Sequence, residues 1–229
     1  MRKAGVALAL SLSCGTSSSQ QPVGTRLRVT AADGIDLTQA PGANETAVSG
    51  LVQVATTNAA GGDDVVQGAA VRINGAALPE EFPGHYDARG LAIAPGDTLS
   101  LLAVKEPDSA SVTFKCPDAV SLVAPVDNAQ VTGGQTLQAS WTGRIAYSAG
   151  LFQPQLFFRP WDPATNDIGN AYELVLLSPS QTSASLTVPS DGKPGYVVEL
   201  KIPGEYADQS STGGTGICIL HRRVHIKAR

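Results

Sequence analysis

Ser111-Val112-Thr113-Phe114-Lys115-Cys116 alternates, residue by residue, between polar and apolar side chains. Successive side chains on extended backbone point to opposite faces, so Val112, Phe114 and Cys116 share one face and Ser111, Thr113 and Lys115 the other. Such a strand has one buried side and one wet side, the pattern of antiparallel sheets. Working outward, similar short runs occupy residues 27–31, 48–56, 69–74, 86–93 and 98–104. Asn74-Gly75 and Pro95-Gly96-Asp97 punctuate them, with Asn and Gly supplying positive-φ turn positions. After Pro117 come further runs at residues 120–124, 137–141, 155–159, 172–177, 184–188, 196–202 and 217–228. Short alternating runs at this spacing predict an all-β chain of two tandem antiparallel β-sandwich domains, residues 27–117 and 118–229.

The composition agrees. A chain with 24 Gly, 15 Pro and only 16% charged residues lacks the Lys, Glu, Leu and Arg that helices favour. The formal charge is −4, and loss of Arg2 and Lys3 with a leader leaves 14 basic against 20 acidic residues, or −6. Phosphate backbones are bound through clustered Lys and Arg, and the one basic cluster lies at residues 221–229, so no nucleic-acid partner is expected. No apolar run reaches the roughly 18–20 residues that a bilayer-spanning helix needs.

Leu137-Gln138-Ala139-Ser140-Trp141, then Ala184-Ser185-Leu186-Thr187-Val188-Pro189, then Pro194-Gly195-Tyr196-Val197-Val198-Glu199-Leu200 together resemble a fibronectin type III or immunoglobulin-like domain. The resemblance covers about residues 118–229 and rests on patterning. It implies that Trp141 fills the core and that Tyr196 makes a corner contact, and it is silent on function. Residues 71–75 through 95–99 likewise resemble domains that precede such modules in bacterial lipoproteins.

Met1-Arg2-Lys3 is a positive start, Ala4 to Ser13 a short apolar stretch ending in small residues, and Cys14 follows directly. This layout of a signal peptide over residues 1–13 resembles the bacterial lipoprotein signal, which implies acylation of Cys14 and a flexible tether over residues 14–26. The sequence departs from that pattern by carrying Ser11 where the family prefers Leu. Ordinary cleavage after Ser13, with Ser11 and Ser13 as the small residues, is the competing reading and leaves Cys14 a free thiol. Two or three acyl chains give a stable hold on the lipid bilayer. Gly15, in place of an inner-membrane retention Asp, points to the outer membrane; the alternative is a secreted or periplasmic soluble protein.

With Cys14 assigned to lipid, Cys116 and Cys218 remain in an oxidising compartment. In an antiparallel seven-strand sandwich the first and seventh strands run the same way, so Cys116 and Cys218 fall at the same end and are placed to form a disulfide. Two buried free thiols are the alternative.

Catalytic and metal-binding signals are thin. His221 and His225 alternate with Leu220, Val224 and Ile226 as a strand, which sets the imidazoles about 13 Å apart, too far for one metal. They read as part of a solvated basic edge. Asp63-Asp64 reads as an ordinary loop, and Glu80-Glu81 point to opposite faces, unlike a calcium loop. No G-x-S-x-G elbow accompanies the three histidines, so no catalytic residue, metal or cofactor is expected. The aromatic stretch Tyr147, Phe152, Phe157, Phe158 and Trp161 is the main surface candidate. Phe157 and Phe158 must face opposite ways, and Trp161, after Pro160, reads as standing at a loop entrance, where core or loop-plug packing is favoured over an exposed ring that stacks on a sugar or a partner protein.

These features point to a non-catalytic envelope lipoprotein that acts as a binding or structural scaffold module for an envelope protein or glycan. The alternative is a glycan-binding module using Trp161 and Tyr147. A secreted enzyme would instead show a tight cluster of perturbed acidic groups in a deep cleft.

Overall fold

A computed structural model describes residues 26–39, 46–58, 62–145, 153–209 and 211–229. The expected signal peptide, Cys14, Tyr147 and Phe152 lie outside the described residues, as does the tether up to residue 25. Every regular element among the described residues is a strand, and the chain is an all-β sandwich protein.

The architecture follows from one strand, Gly214–Ala228. Along its first half it pairs in parallel with the first strand, Leu27–Gln39, from Val29 opposite Gly214 to Gln39 opposite Arg222. Along its second half it pairs antiparallel with Gly195–Pro203, from Pro203 opposite Ile219 to Gly195 opposite Lys227. Ala129–Val131 joins it in parallel near its end, and Ala207–Gln209 antiparallel near its start. A single sheet therefore continues from Glu80–Phe82 through Leu51–Thr57, the first strand and the final strand to Gln155–Asp162. The position after Pro117, where the sequence pattern changes, is bridged by this shared strand.

Two smaller sheets cover the inner face. Asp108–Lys115, Thr98–Lys105, Ala70–Ile73 and Ala76–Ala77 pair in that order over the N-terminal half. Ser121–Ala124, Thr136–Thr142 and Ser183–Thr187 do the same for the C-terminal half. The buried residues of both halves form one connected cluster, with Leu101, Tyr86 and Phe114 at one end and Trp141, Phe158 and Leu200 at the other. Trp141 is core, 3% exposed, and its indole N–H donates to the Gln181 carbonyl at 3.0 Å. Tyr196 stacks on Phe158 at 4.9 Å, and its hydroxyl donates to the Pro189 carbonyl and to Asp191. Tyr86 buries its ring and accepts from the Ala69 N–H at 2.8 Å.

Several expectations need correction. The first run, expected at residues 27–31, continues to Gln39 across a two-residue bulge at which pairing shifts between Ala31 and Ile35. Gly34 takes φ +92° there, and a Cβ on it would stand 2.8 Å from Ile219 Cδ1, so the bulge needs glycine. The last run, expected from residue 217, begins at Gly214. A Cβ on Gly216 would lie 2.5 Å from the Phe114 ring, so glycine lets the strand pass under that ring. The run expected over residues 86–93 ends at Asp87, because the chain turns through Arg89 and Gly90, the latter at φ +79°. Asp63–Val65 is an edge strand rather than a loop.

Cys116 and Cys218 are joined, with Cα atoms 4.8 Å apart. Cys218 sits where the final strand pairs with Ile35 of the first, so the bridge ties the small N-terminal sheet to the shared sheet. It closes a loop spanning a sequence separation of 102 residues; chain entropy gives on the order of 4–5 kcal/mol for such a closure.

A shared strand and a continuous core imply shared cooperativity. Trp141→Ala should lower stability by about 3–5 kcal/mol in urea unfolding. In native-state hydrogen exchange it should weaken protection at Leu101 as much as at Leu200. Loss confined to Leu200 and its neighbours would show that the halves unfold separately.

Candidate functional site

On the four adjacent strands of the shared sheet, alternation sends odd-numbered residues of the C-terminal strands to the outer face. The register aligns Phe157, Glu199 and Arg223 in one row and Gln155, Lys201, His221 and Thr38 in the next. Arg159, Val197 and His225 form a third row, and Trp161, Gly195 and Lys227 a fourth.

Glu199 is the centre of this face. Its side chain is 3% exposed and meets three cationic groups. His221 Nδ1 lies 2.8 Å from Oε1, Arg223 donates to the same oxygen through Nε at 2.8 Å and Nη2 at 2.6 Å, and Arg159 Nε is 3.1 Å from Oε2. A buried carboxylate is tolerated only when paired and hydrogen-bonded, and this one is paired with Arg159 on one neighbouring strand and with His221 and its register partner Arg223 on the other. Burial pushes the Glu199 carboxyl up, but the hydrogen bonds and charges of His221 and Arg223 outweigh it and hold it at about 2.

His221 reaches the other way as well, with Nε2 3.2 Å from Asp36 Oδ1 on the first strand. A neutral imidazole has one N–H and can donate to one of these carboxylates; only the imidazolium donates to both. Burial depresses the His221 pKa, but the Asp36 and Glu199 hydrogen bonds and charges reverse the shift and raise it. A protonated His221 thus links the first strand to Gly195–Pro203 across the final strand. The expectation of a solvated basic edge is corrected here: the final strand is interior to the sheet, and His221 is 9% exposed.

Arg222, of opposite parity, points inward and is 8% exposed. Its Nε donates to the Val120 carbonyl at 2.6 Å, just after the segment joining the two halves, and its Nη1 has no partner among the described residues. Burial lowers its pKa.

The aromatic candidates separate as alternation requires. Phe158 is fully buried, while Phe157 is half-buried on the outer face with the Arg159 guanidinium 4.8 Å above its ring. Trp161 does not stand at a loop entrance; it belongs to Gln155–Asp162 and pairs with Gly195. A Cβ on Gly195 would lie 2.8 Å from Trp161 Cε3, so the ring occupies the space that Gly195 leaves open. The other contacts of Trp161 are His225, tilted at 4.3 Å, and Asn166, which accepts from the indole N–H at 3.0 Å.

The remaining polar candidates are engaged locally. Asp63 pairs with Arg28 at 3.2 Å and Asp64 accepts from Asn58 at 3.1 Å. Glu80 accepts from the backbone N–H groups of Gly68 and Gly84, and Glu81 pairs with Arg89 at 2.8 Å. His85 stacks on Phe82 at 4.3 Å. Among the described residues, no three His, Cys, Asp or Glu side chains converge as metal ligands. An open groove of about 840 Å³ runs past Val48, Leu91 and Ile93, with Arg89 and Asp97 at its rim.

Chemically, Glu199 is unsuited to proton transfer near neutrality. A general acid or base needs a pKa near the working pH, and His221 and Arg223 drive this carboxyl the opposite way. The arrangement orders a surface: it holds two guanidinium groups, an imidazole and two aromatic rings on the outer face of the sheet, where the imidazole is buried and the others are half-buried. Sequence reasoning missed Glu199, yet a signal existed. It is the one charged residue inside the apolar run 196–200, and the final run offers basic residues at every second position to oppose it.

Stability should follow these two groups in opposite directions. Glu199, depressed from 4.5 to about 2, stabilises the fold above its unfolded value and ceases to as pH falls through about 2; the shift corresponds to about 3 kcal/mol. His221, raised from 6.5, stabilises fully below that value and ceases to as pH rises through its folded pKa. Urea midpoints should therefore fall on the alkaline side in the wild type, and His221→Gln should flatten that side of the profile.

No family model matches the chain, and no curated protein matches it. Among solved structures, titin A168–A169 aligns at 13% identity over 90% of this chain and 97% of its own, with a TM-score of 0.25. The titin I-band fragment I67–I69 aligns at 10% identity, with a TM-score of 0.22, covering 90% of this chain and 64% of its own; its E-to-A variant gives the same values.

Proposed function

We propose that this chain is a bacterial cell-envelope lipoprotein whose body is a non-catalytic binding or structural module. The observation that supports it most is the outer face of the shared sheet, where Glu199 fixes Arg159, His221 and Arg223 in place beside Phe157 and Trp161. Ordering long side chains before a partner arrives reduces the entropy lost on binding. The body's two halves are held together by backbone pairing and a disulfide, which suits a spacer or platform.

Attachment rests on the sequence. Met1-Arg2-Lys3, the small and apolar residues 4–13 and Cys14 form the export and acylation signal, and Gly15 favours the outer membrane. Residues 15–26 then tether the first strand, reaching at most about 40 Å when extended. The partner in this reading is an envelope protein or a glycan that meets the outer face. Trp161, half-buried beside Asn166 and His225, supplies the ring on which a sugar would stack, while its cover over Gly195 gives it a structural role as well.

Metabolic labelling with a palmitate analogue should tag the wild type and leave Cys14→Ser unlabelled; equal labelling would end the lipoprotein reading. In pull-down on envelope polysaccharides, Trp161→Ala should weaken retention about tenfold, the equivalent of about 1.4 kcal/mol of stacking. Unchanged retention, with melting matched to the wild type, would remove the glycan and leave a protein partner.

A further inference from the structure

The shared sheet has two ends, and they differ in chemistry. At one end, Glu80–Phe82 carries two carboxylates that bind backbone N–H groups and Arg89. At the other, Glu173–Leu176 pairs with Gln155–Phe158 on one side and with no strand on its other side among the described residues. Leu174 and Leu176 are 49% and 56% exposed, and Ile168 and Tyr172 beside them are 37% and 47% exposed. Sheet edges in natural proteins are guarded by charge, proline or bulges. The segment from Leu174 to Leu177 contains none of these.

The ladder fixes what this edge offers. Leu177 N–H donates to the Pro154 carbonyl at 2.9 Å, in line with the register that sets Leu176 opposite Gln155 and Leu174 opposite Phe157. Antiparallel ladders alternate hydrogen-bonded and non-bonded pairs, so Val175 and Leu177 bond inward and the N–H and C=O groups of Leu174 and Leu176 point to the open side. Their side chains lie on the outer face, level with Phe157.

We propose that this edge pairs antiparallel with the same edge of a second copy of the chain, about a two-fold axis between the two Val175 residues. That axis superposes outer face on outer face. It brings Leu174 opposite Leu176 of the second copy as a hydrogen-bonded pair, twice by symmetry, and satisfies all four outward N–H and C=O pairs. The leucines of both copies and the two Phe157 rings then share one apolar strip. The charges permit the approach: Glu173, the nearest charged residue, falls opposite Leu177 of the second copy, and its carboxylate is turned away to accept from Thr187 N–H at 3.0 Å. A self-complementary patch of this kind closes into a two-fold dimer rather than an open fibre. The ladder is short, and the area is below the roughly 1,200–2,000 Å² of a standard interface, so the dimer is weak. This inference requires neither acylation of Cys14 nor a ligand at Trp161.

Sedimentation velocity of the chain carrying Cys14→Ser, from about 5 to about 500 µM, spans the dissociation constants expected of such a contact. The sedimentation coefficient should rise with concentration, and Leu176→Lys should weaken association at least tenfold without changing the melting temperature. Mild oxidation should link Val175→Cys into a covalent dimer, because the two Val175 Cα atoms stand about 4.5 Å apart in a non-bonded pair. Leu174→Cys, two positions out of register with itself, should not cross-link. A monomer at every concentration, an association that Leu176→Lys leaves intact, or cross-linking of Leu174→Cys in place of Val175→Cys would each overturn the proposal.

Discussion

Backbone pairing along Gly214–Ala228 is the constraint on which the rest of the structure depends. One strand supplies hydrogen-bonding partners to the first strand on one side and to Gly195–Pro203 on the other, and neither half can complete its sheet without it. Everything notable about local sequence near this strand follows from that double duty. Gly216 lets it slip beneath Phe114, Gly34 lets the first strand bulge around Ile219, and Cys218 fastens it to Cys116.

The same strand explains why the outer face is charged yet ordered. Its odd-numbered basic residues would repel one another on an isolated strand, but the register sets Glu199 opposite Arg223 and Asp36 beside His221. His221 and Arg223 are thereby matched from neighbouring strands, and the carboxylate they share is 3% exposed. Desolvation alone would neutralise Glu199; the cations make ionisation the favoured state. The result is an ordered polar surface on a sheet whose opposite face is apolar core apart from the buried Arg222.

Much of the fold was legible. Alternation in residues 111–116 and 98–104 and the Asn74-Gly75 turn at φ 50° and 84° follow from period-two patterning and turn chemistry, while the core position of Trp141 and the corner contact of Tyr196 are what the resemblance to fibronectin type III and immunoglobulin-like domains implied. What stayed hidden was non-local. Parallel pairing between residues 29–39 and 214–222 leaves no mark on either segment alone. The Glu199 network was half legible, since parity on the final strand was right, but its burial depended on knowing that this strand is interior. Trp161 was misplaced because Pro160 reads as a strand terminator, whereas here the strand runs through it opposite Tyr196.

The pairing of the first strand with the last also sets an order of events during synthesis. Val29 meets Gly214 across almost the whole chain, so the N-terminal half must wait, incomplete, until its final partner has emerged. Contacts of such long sequence separation make folding slow. Late closure by the fifteen-residue strand Gly214–Ala228 thus acts as a timing device, holding back compaction of the N-terminal half until a distant segment has arrived.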